Sequence, residues 1–252
     1  MIKGVLLDLS GVLYTGNEVI PGAIEAVKKL QEKQLPVRFI TNTTRTPRQK
    51  TINKLSGMGF NIREEEIFTA PMAAKQYILE KSLSPYLLLH PDLAPEFADV
   101  TRDKQDCVLV GDAAHEFTYE NMNHAFRLLL QGADLLAMGI NRYFREGDNY
   151  SLDAGPFVNA LEYASGSKAT VLGKPSPDFF KTAVDSMNCK PGEVIMVGDD
   201  VESDVIGALR SGIHGILVKT GKYRPAAEEL IEGKAECVDD IAAAVELILN
   251  EK

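Results

Sequence analysis

The stretch Gly4-Val5-Leu6-Leu7-Asp8-Leu9-Ser10-Gly11-Val12-Leu13-Tyr14 carries an unbroken apolar run into a carboxylate and then into a small-residue turn. A run apolar on both faces has the pattern of a strand inside a parallel sheet, not of one with a wet side. Open parallel sheets bind ligands beyond the carboxyl ends of their strands, and Asp8 falls there. Two things then matter: whether more strands of this kind follow, and which polar groups stand at their ends.

More strands do follow. Residues 36–41, 170–173, 194–198 and 215–219 are short apolar runs of the same type, separated by amphipathic segments. Pro21 opens one such segment, in which Ile24, Val27 and Leu30 recur at helical spacing. Another starts at Thr46-Pro47-Arg48-Gln49, with Thr at the N-cap, Pro at the first helical position and Gln at the capping-box position. Alternation of this kind predicts an α/β fold with a Rossmann-like parallel-sheet core. In the middle of the chain 86–89, 107–110 and 135–138 are strand-like, while Met122, Ala125, Phe126 and Leu129 mark one helix face. The expectation is a catalytic core from 1–82 and 171–252, with a smaller α/β cap domain inserted over 83–170.

Composition narrows the function classes. A chain of 252 residues with 45% hydrophobic content can bury a full core in two modest domains. A formal net charge of -9, with no local cluster of Lys and Arg to reverse it, argues against nucleic acid and anionic membrane as partners. Cys107, Cys189 and Cys237 are odd in number, widely spaced and without a Cys-x-x-Cys pair, so neither a disulfide framework nor a zinc site is expected. The N-terminal apolar run is interrupted by Asp8 and lacks a charged leader, so no export signal or membrane span is expected and a cytoplasmic location is.

Four groups stand just past the apolar runs: Asp8, Thr41 with Asn42, Lys174, and Asp199 with Asp200. Taken singly, each carboxylate reads as a helix cap or a solvent-facing strand end. Gathered at one sheet edge they would repel unless a cation lay among them, and hard oxygen donors select magnesium among the abundant ions. Lys174 adds a second positive charge, and Thr41 with Asn42 adds hydroxyl and amide donors. The set suits an anion with several oxygens, which points to phosphoryl chemistry.

These residues resemble the four motifs of the haloacid dehalogenase superfamily of phosphatases. Asp8-Leu9-Ser10-Gly11-Val12-Leu13 is similar to the first motif, Thr41-Asn42 to the second, Lys174 to the third, and Gly198-Asp199-Asp200 with Asp204 to the fourth. An insertion between the second and third is where the superfamily's α/β (C2-type) cap occurs. Gly173-Lys174-Pro175-Ser176-Pro177, Gly155-Pro156-Phe157 with Ala160-Leu161-Glu162-Tyr163, and Lys219-Thr220-Gly221-Lys222-Tyr223 resemble its branch of pyrophosphate and phosphoramidate phosphatases.

The resemblance implies that Asp8 is the nucleophile and forms an aspartyl-phosphate. It implies magnesium bound by Asp8, the backbone carbonyl of Ser10 and Asp199, with Asp200 and Asp204 behind them holding ligands or waters in place. Ser10, Gly11, Thr41, Asn42 and Lys174 would then contact the transferring phosphoryl group, and the cap would join two copies into a homodimer.

Ser10 departs from the superfamily pattern. Most members carry at this place an aspartate that protonates the leaving alkoxide, which a serine hydroxyl is too weak an acid to do near neutral pH. The expected substrates therefore have good leaving groups: pyrophosphate, phosphoramidates such as phospholysine and phosphohistidine, and aryl phosphates. Two alternatives remain: a phosphatase for small sugar or glycolate phosphates, and a phospho-ligand binding module with little turnover.

Other patterns carry less. Residues 215–223 have one residue too many between their glycines for a P-loop, and Tyr223 where Ser or Thr is needed, so they read as a strand and turn. Gly57 and Gly59 read as helix termination. His90, His115, His124 and His214 have no metal-ligand spacing. Arg142-Tyr143-Phe144-Arg145 reads equally as a solvated hairpin or a substrate-contacting loop.

Overall fold

A computed structural model describes residues 1–102, 104–146 and 149–250. The strands are β1 (Gly4–Asp8), β2 (Tyr14–Thr15), β3 (Glu18–Val19), β4 (Val37–Thr41), β5 (Ile67–Thr69), β6 (Pro85–Leu88), β7 (Cys107–Val110), β8 (Asp134–Ala137), β9 (Tyr143–Glu146), β10 (Asn149–Leu152), β11 (Thr170–Val171), β12 (Val194–Gly198), β13 (His214–Val218) and β14 (Glu236–Val238). The α-helices are α1 (Ala23–Glu32), α2 (Arg48–Gly57), α3 (Ala70–Lys81), α4 (Tyr119–Leu130), α5 (Ala154–Ser165), α6 (Pro177–Asp185), α7 (Gly207–Arg210), α8 (Ala227–Leu230) and α9 (Ile241–Asn250). Contacts divide the chain into two compact units: 1–41 with 52–68 and everything from 174 onward, and 42–51 with 69–173.

The first unit is built on a six-stranded sheet in the order β14-β13-β12-β1-β4-β5. β1 lies between β12 and β4 and is parallel to both, with Val5 opposite Ile195 and Leu7 opposite both Val197 and Phe39. All five of its residues are buried, as its unbroken apolar pattern requires. Val5, Leu7, Phe39, Val197 and Ile216 pack with Val27 and Leu30 of α1 and with Val245 and Ile248 of α9. Each such side chain contributes about 1.5–3 kcal/mol by leaving water. The chain steps from β1 to β4 on one side and from β12 to β13 on the other. The carboxyl ends of β1 and β12 therefore flank the point where strand order reverses, the usual ligand crevice of open α/β sheets.

The second unit has its own parallel sheet, ordered β11-β8-β7-β6. One layer of its core joins Ala70, Ala74 and Ile78 of α3 to Leu109, Leu136 and Leu172, and the other joins Val108, Val110 and Leu135 to Leu129 of α4 and Leu161 of α5. Helix α3 precedes residue 83, yet its buried face belongs to this layer, so the second unit takes in residues from 69 on. Residues Tyr143–Glu146 and Asn149–Leu152 form an antiparallel hairpin, with Tyr143 and Tyr150 edge to face at 5.2 Å between centroids.

Two expectations need correction. The run 170–173 does form a strand, but Thr170 and Val171 pair with Leu136 and Ala137 in the second unit, not with the sheet of β1. An apolar run signals a buried strand and carries no information about which sheet receives it. Helix α2 starts at Arg48, and its first i to i-4 bond runs from Thr51 N–H to the Pro47 carbonyl, which places Pro47 just outside the helix. Among the described residues no helix is long and apolar enough to cross a membrane.

Candidate active site

β1 ends on Asp8, and β12 ends on Gly198, directly before Asp199. Because the two strands are hydrogen-bonded neighbours, their terminal carboxylates arrive side by side. Past β12, Asp200 caps a widely wound π-helical segment, Val201–Ile206, accepting the backbone N–H groups of Glu202 at 3.2 Å and Ser203 at 3.1 Å. That winding turns Asp204 back toward the strand end, where its Oδ2 accepts the N–H of Asp200 at 3.2 Å. Lys174 completes the group. Its ammonium donates to Asp8 Oδ1 at 2.5 Å and to Asp204 Oδ1 at 2.6 Å.

Asp8, Asp199 and Asp204 each offer a carboxylate oxygen within 4.8 Å of the others. All four charged side chains are buried, from 1% exposed for Asp204 to 7% for Asp8. Burial is the largest influence on Asp199, Asp204 and Lys174. It pushes Asp199 well above the usual carboxylate range, helped by the charges of Asp8 and Asp204. It also lifts Asp204 to about 7 against the pull of Lys174. Burial alone would lower Lys174, but Asp204 and Asp8 more than reverse this and hold it charged. Asp200 differs: burial is outweighed by Lys222 and the backbone donors, and its carboxyl stays below its ordinary value.

Three buried carboxylates with one ammonium among them leave an excess of negative charge. A small divalent cation with a preference for oxygen fits that excess, and the raised position of Asp199 marks where the charge is least compensated.

Two glycines make the packing at this point possible. Gly11 has φ +91° and Gly221 φ +62°, a region that side chains rarely adopt, and a Cβ on either would lie 2.0 Å from Asp199 Oδ2. Asp199 Oδ2 accepts the N–H of Lys222 at 2.7 Å, and the Lys222 ammonium reaches Asp200 Oδ2 at 3.1 Å. The Thr220 hydroxyl donates to the carbonyl of Gly11.

Of the residues singled out in the sequence, the structure brings together Asp8, Lys174, Asp199 and Asp204, with Asp200 and Gly11 beside them. Ser10 is exposed, and its backbone bridges to Tyr14. Thr41 is buried at the end of β4, the strand next to β1. The Asn42 amide donates to Asn141 Oδ1 at a long 3.5 Å within the second unit. In the sequence Thr220, Gly221 and Lys222 read as a turn and as part of the stretch that carries the family resemblance, with no role of their own in the site. Their contributions are a hydroxyl, a backbone conformation and a backbone N–H, none of which has a periodic signature. The usable signal was the Thr-Gly-Lys turn at the end of a core strand, beside an acidic pair that needs donors.

Comparison with known proteins adds to this geometry. Residues 5–118 match the family model described as haloacid dehalogenase-like hydrolase, and residues 171–244 match one described as HAD-hydrolase-like. The chain is 45% identical over 258 residues to phospholysine phosphohistidine inorganic pyrophosphate phosphatase of Danio rerio, covering 100% of this chain and 96% of the relative. It is 45% identical over 230 residues to haloacid dehalogenase-like hydrolase domain-containing protein 2 of Bos taurus, covering 91% and 89%. Among solved structures, 4-nitrophenylphosphatase from Thermotoga maritima superposes with a TM-score of 0.89 at 26% identity, covering 97% of each chain.

Proposed function

The chain belongs to the haloacid dehalogenase-like hydrolases and is a phosphatase, and from that premise we propose a magnesium-dependent phosphohydrolase that works through an aspartyl-phosphate on Asp8. The observation that carries the reading is the buried contact of the Lys174 ammonium with Asp8 Oδ1, in a cluster completed by Asp199 and Asp204. With Oδ1 engaged, the second oxygen of Asp8 is the one offered to phosphorus. Lys174 orients Asp8 through its contact with Oδ1 and, with Thr41 and Asn42, steadies the phosphoryl oxygens as charge spreads over them. Asp8, the Ser10 carbonyl and Asp199 hold magnesium, which supplies charge neutralisation at the phosphoryl group. Asp204 has one oxygen on Lys174 and the other on the Asp200 N–H, which suits a place behind the ligands. Asp200 stands there too, tied to Lys222. Residues 83–170 act as the cap.

The substrates we assign are phosphates with good leaving groups: pyrophosphate, and phosphoramidates such as phospholysine and phosphohistidine. Ser10 supports this, because it leaves the protein without a carboxylic acid at the position that protonates alkoxides. The relative from Danio rerio is named for such substrates, and the Thermotoga structure for an aryl phosphate.

The test is phosphate release from pyrophosphate, phospholysine, phosphohistidine, 4-nitrophenyl phosphate and alkyl phosphates, for wild type and Ser10→Asp. Wild type should favour the first four, and Ser10→Asp should raise alkyl-ester turnover about tenfold or more, within the usual range for general acid catalysis. Equal wild-type rates on alkyl phosphates would assign the proton to another donor and favour the sugar-phosphate reading.

A further inference from the structure

Besides the Lys222 ammonium on Asp200, the loop after β13 touches the carboxylate cluster and the turn beside it at two independent points through neutral groups. The Lys222 backbone N–H donates to Asp199 Oδ2 at 2.7 Å, so one oxygen of that carboxylate is fixed. One turn of chain earlier, the Thr220 hydroxyl donates to the Gly11 carbonyl. The same glycine's N–H is bound to the Tyr14 carbonyl at 2.7 Å. Gly11 is thus gripped through both of its backbone polar groups. Gly221 lies between the two contacts, and its absent side chain is what lets them coexist: a Cβ there would meet Asp199 Oδ2 at 2.0 Å and Gly11 Cα at 2.6 Å.

We propose that Thr220 and Gly221 are positioning residues that lock the Ser10-Gly11 turn and the Asp199 carboxylate into one rigid arrangement, so that the oxygens meant for magnesium are set before the ion arrives. This rests on the phosphohydrolase reading above and extends it to Thr220 and Gly221, which have no role there. The bond from Thr220 fixes the backbone that follows Ser10, and the bond from Lys222 fixes the rotation of Asp199. Preorganised oxygens bind a cation more tightly because less order is lost on binding, and small displacements of such supports are costly to metal affinity. Neither residue touches substrate, so the effect belongs in metal affinity and kcat, with KM for the phosphate little changed.

The experiment compares wild type, Thr220→Val, Thr220→Ser and Gly221→Ala, each checked for an intact fold by circular dichroism. Magnesium affinity is measured by calorimetric titration without substrate, and kcat and KM on pyrophosphate at saturating magnesium. Thr220→Val removes the donor at nearly constant volume and should weaken magnesium about tenfold or more, the usual scale for loss of a ligand's support. Thr220→Ser restores the hydroxyl and should recover most of that loss, which a purely packing role of the methyl group would not predict. Gly221→Ala should show the larger defect of the two loop positions. Wild-type magnesium affinity in Thr220→Val, or a Thr220→Ser as poor as the valine variant, overturns the inference and leaves the phosphohydrolase reading standing. A wild type that neither binds magnesium nor releases phosphate overturns both.

Discussion

Two ionic clusters of this protein differ in what they leave over. In the second unit Arg45 donates to Asp112 Oδ2 at 2.5 Å and to Glu146 Oε1 at 3.1 Å, with its guanidinium over the Phe144 ring at 4.5 Å. Asp112 accepts a further bond from the Ala114 N–H at 3.1 Å, its own N–H donates to Thr44 Oγ1 at 2.8 Å, and Glu146 reaches solvent. Every charge there is matched or wet. In the first unit Asp8 and Asp204 share the buried Lys174 with Asp199 close beside them, and negative charge remains. Burial without full compensation is costly to folding, and proteins retain it where a ligand makes up the balance. The first cluster thus reads as chemistry and the second as architecture.

The comparison breaks most visibly at Asp8. Asp8→Asn keeps the volume but removes the nucleophile, and turnover should fall by at least about a thousand-fold with the fold intact. Activity near wild type would make Asp8 a structural carboxylate like Asp112. Lys174→Ala should cost about a hundred- to a thousand-fold in kcat/KM, because its charge acts on ground state and transition state alike. Kinetics matching wild type would remove Lys174 from the site.

A milder effect is expected from pH. Asp204 titrates at about 7 in the fold against 3.8 as a free side chain, and Asp199 is raised as well. A carboxyl raised by folding holds its proton more tightly in the native state. Its contribution to stability is therefore lost as pH climbs from the free value to the folded one. Metal-free protein should weaken across that window, and magnesium, which needs the ionised forms, should raise Tm more at about pH 8 than at about pH 5. A magnesium-induced rise in Tm that is the same at both values would contradict the uncompensated charge. Asp199→Asn should flatten the dependence and shift half-saturating magnesium upward, measured by titration in turnover assays.

The smallest effect belongs to the second unit. Arg45→Ala should lower stability by only about 1 kcal/mol in urea unfolding, since its side chain is a third exposed and its pairs are partly solvated. A loss several times larger would mean that the cluster is more than a surface brace.

Much of this was legible in the residues. β1, β4, β12 and β13 are signalled by apolar runs because burial on both faces leaves no alternative, and Asp8, Lys174 and Asp199 are visible as polar groups that follow such runs, while Asp204 is marked only by the family resemblance. The edge strands β5 and β14 are three residues each, too short for periodicity to speak. Helix α3 lacks a distinct polar face, so its pattern did not separate it from its surroundings. The placement of β11 depends on pairing far along the chain, which local sequence does not encode. Thr220 and Gly221 act through a hydroxyl and a φ angle, and only folding reveals what those meet.

The most direct measurement is of the phosphoryl group itself. Wild-type protein is mixed with pyrophosphate and magnesium, quenched in acid during turnover, digested, and its peptides are weighed by mass spectrometry. A phosphoryl group on the peptide that contains Asp8, lost on treatment with hydroxylamine and missing from Asp8→Asn, is the result this account predicts. Steady phosphate release with no phosphoryl group on that peptide, under conditions where an aspartyl-phosphate standard survives the quench, would contradict it.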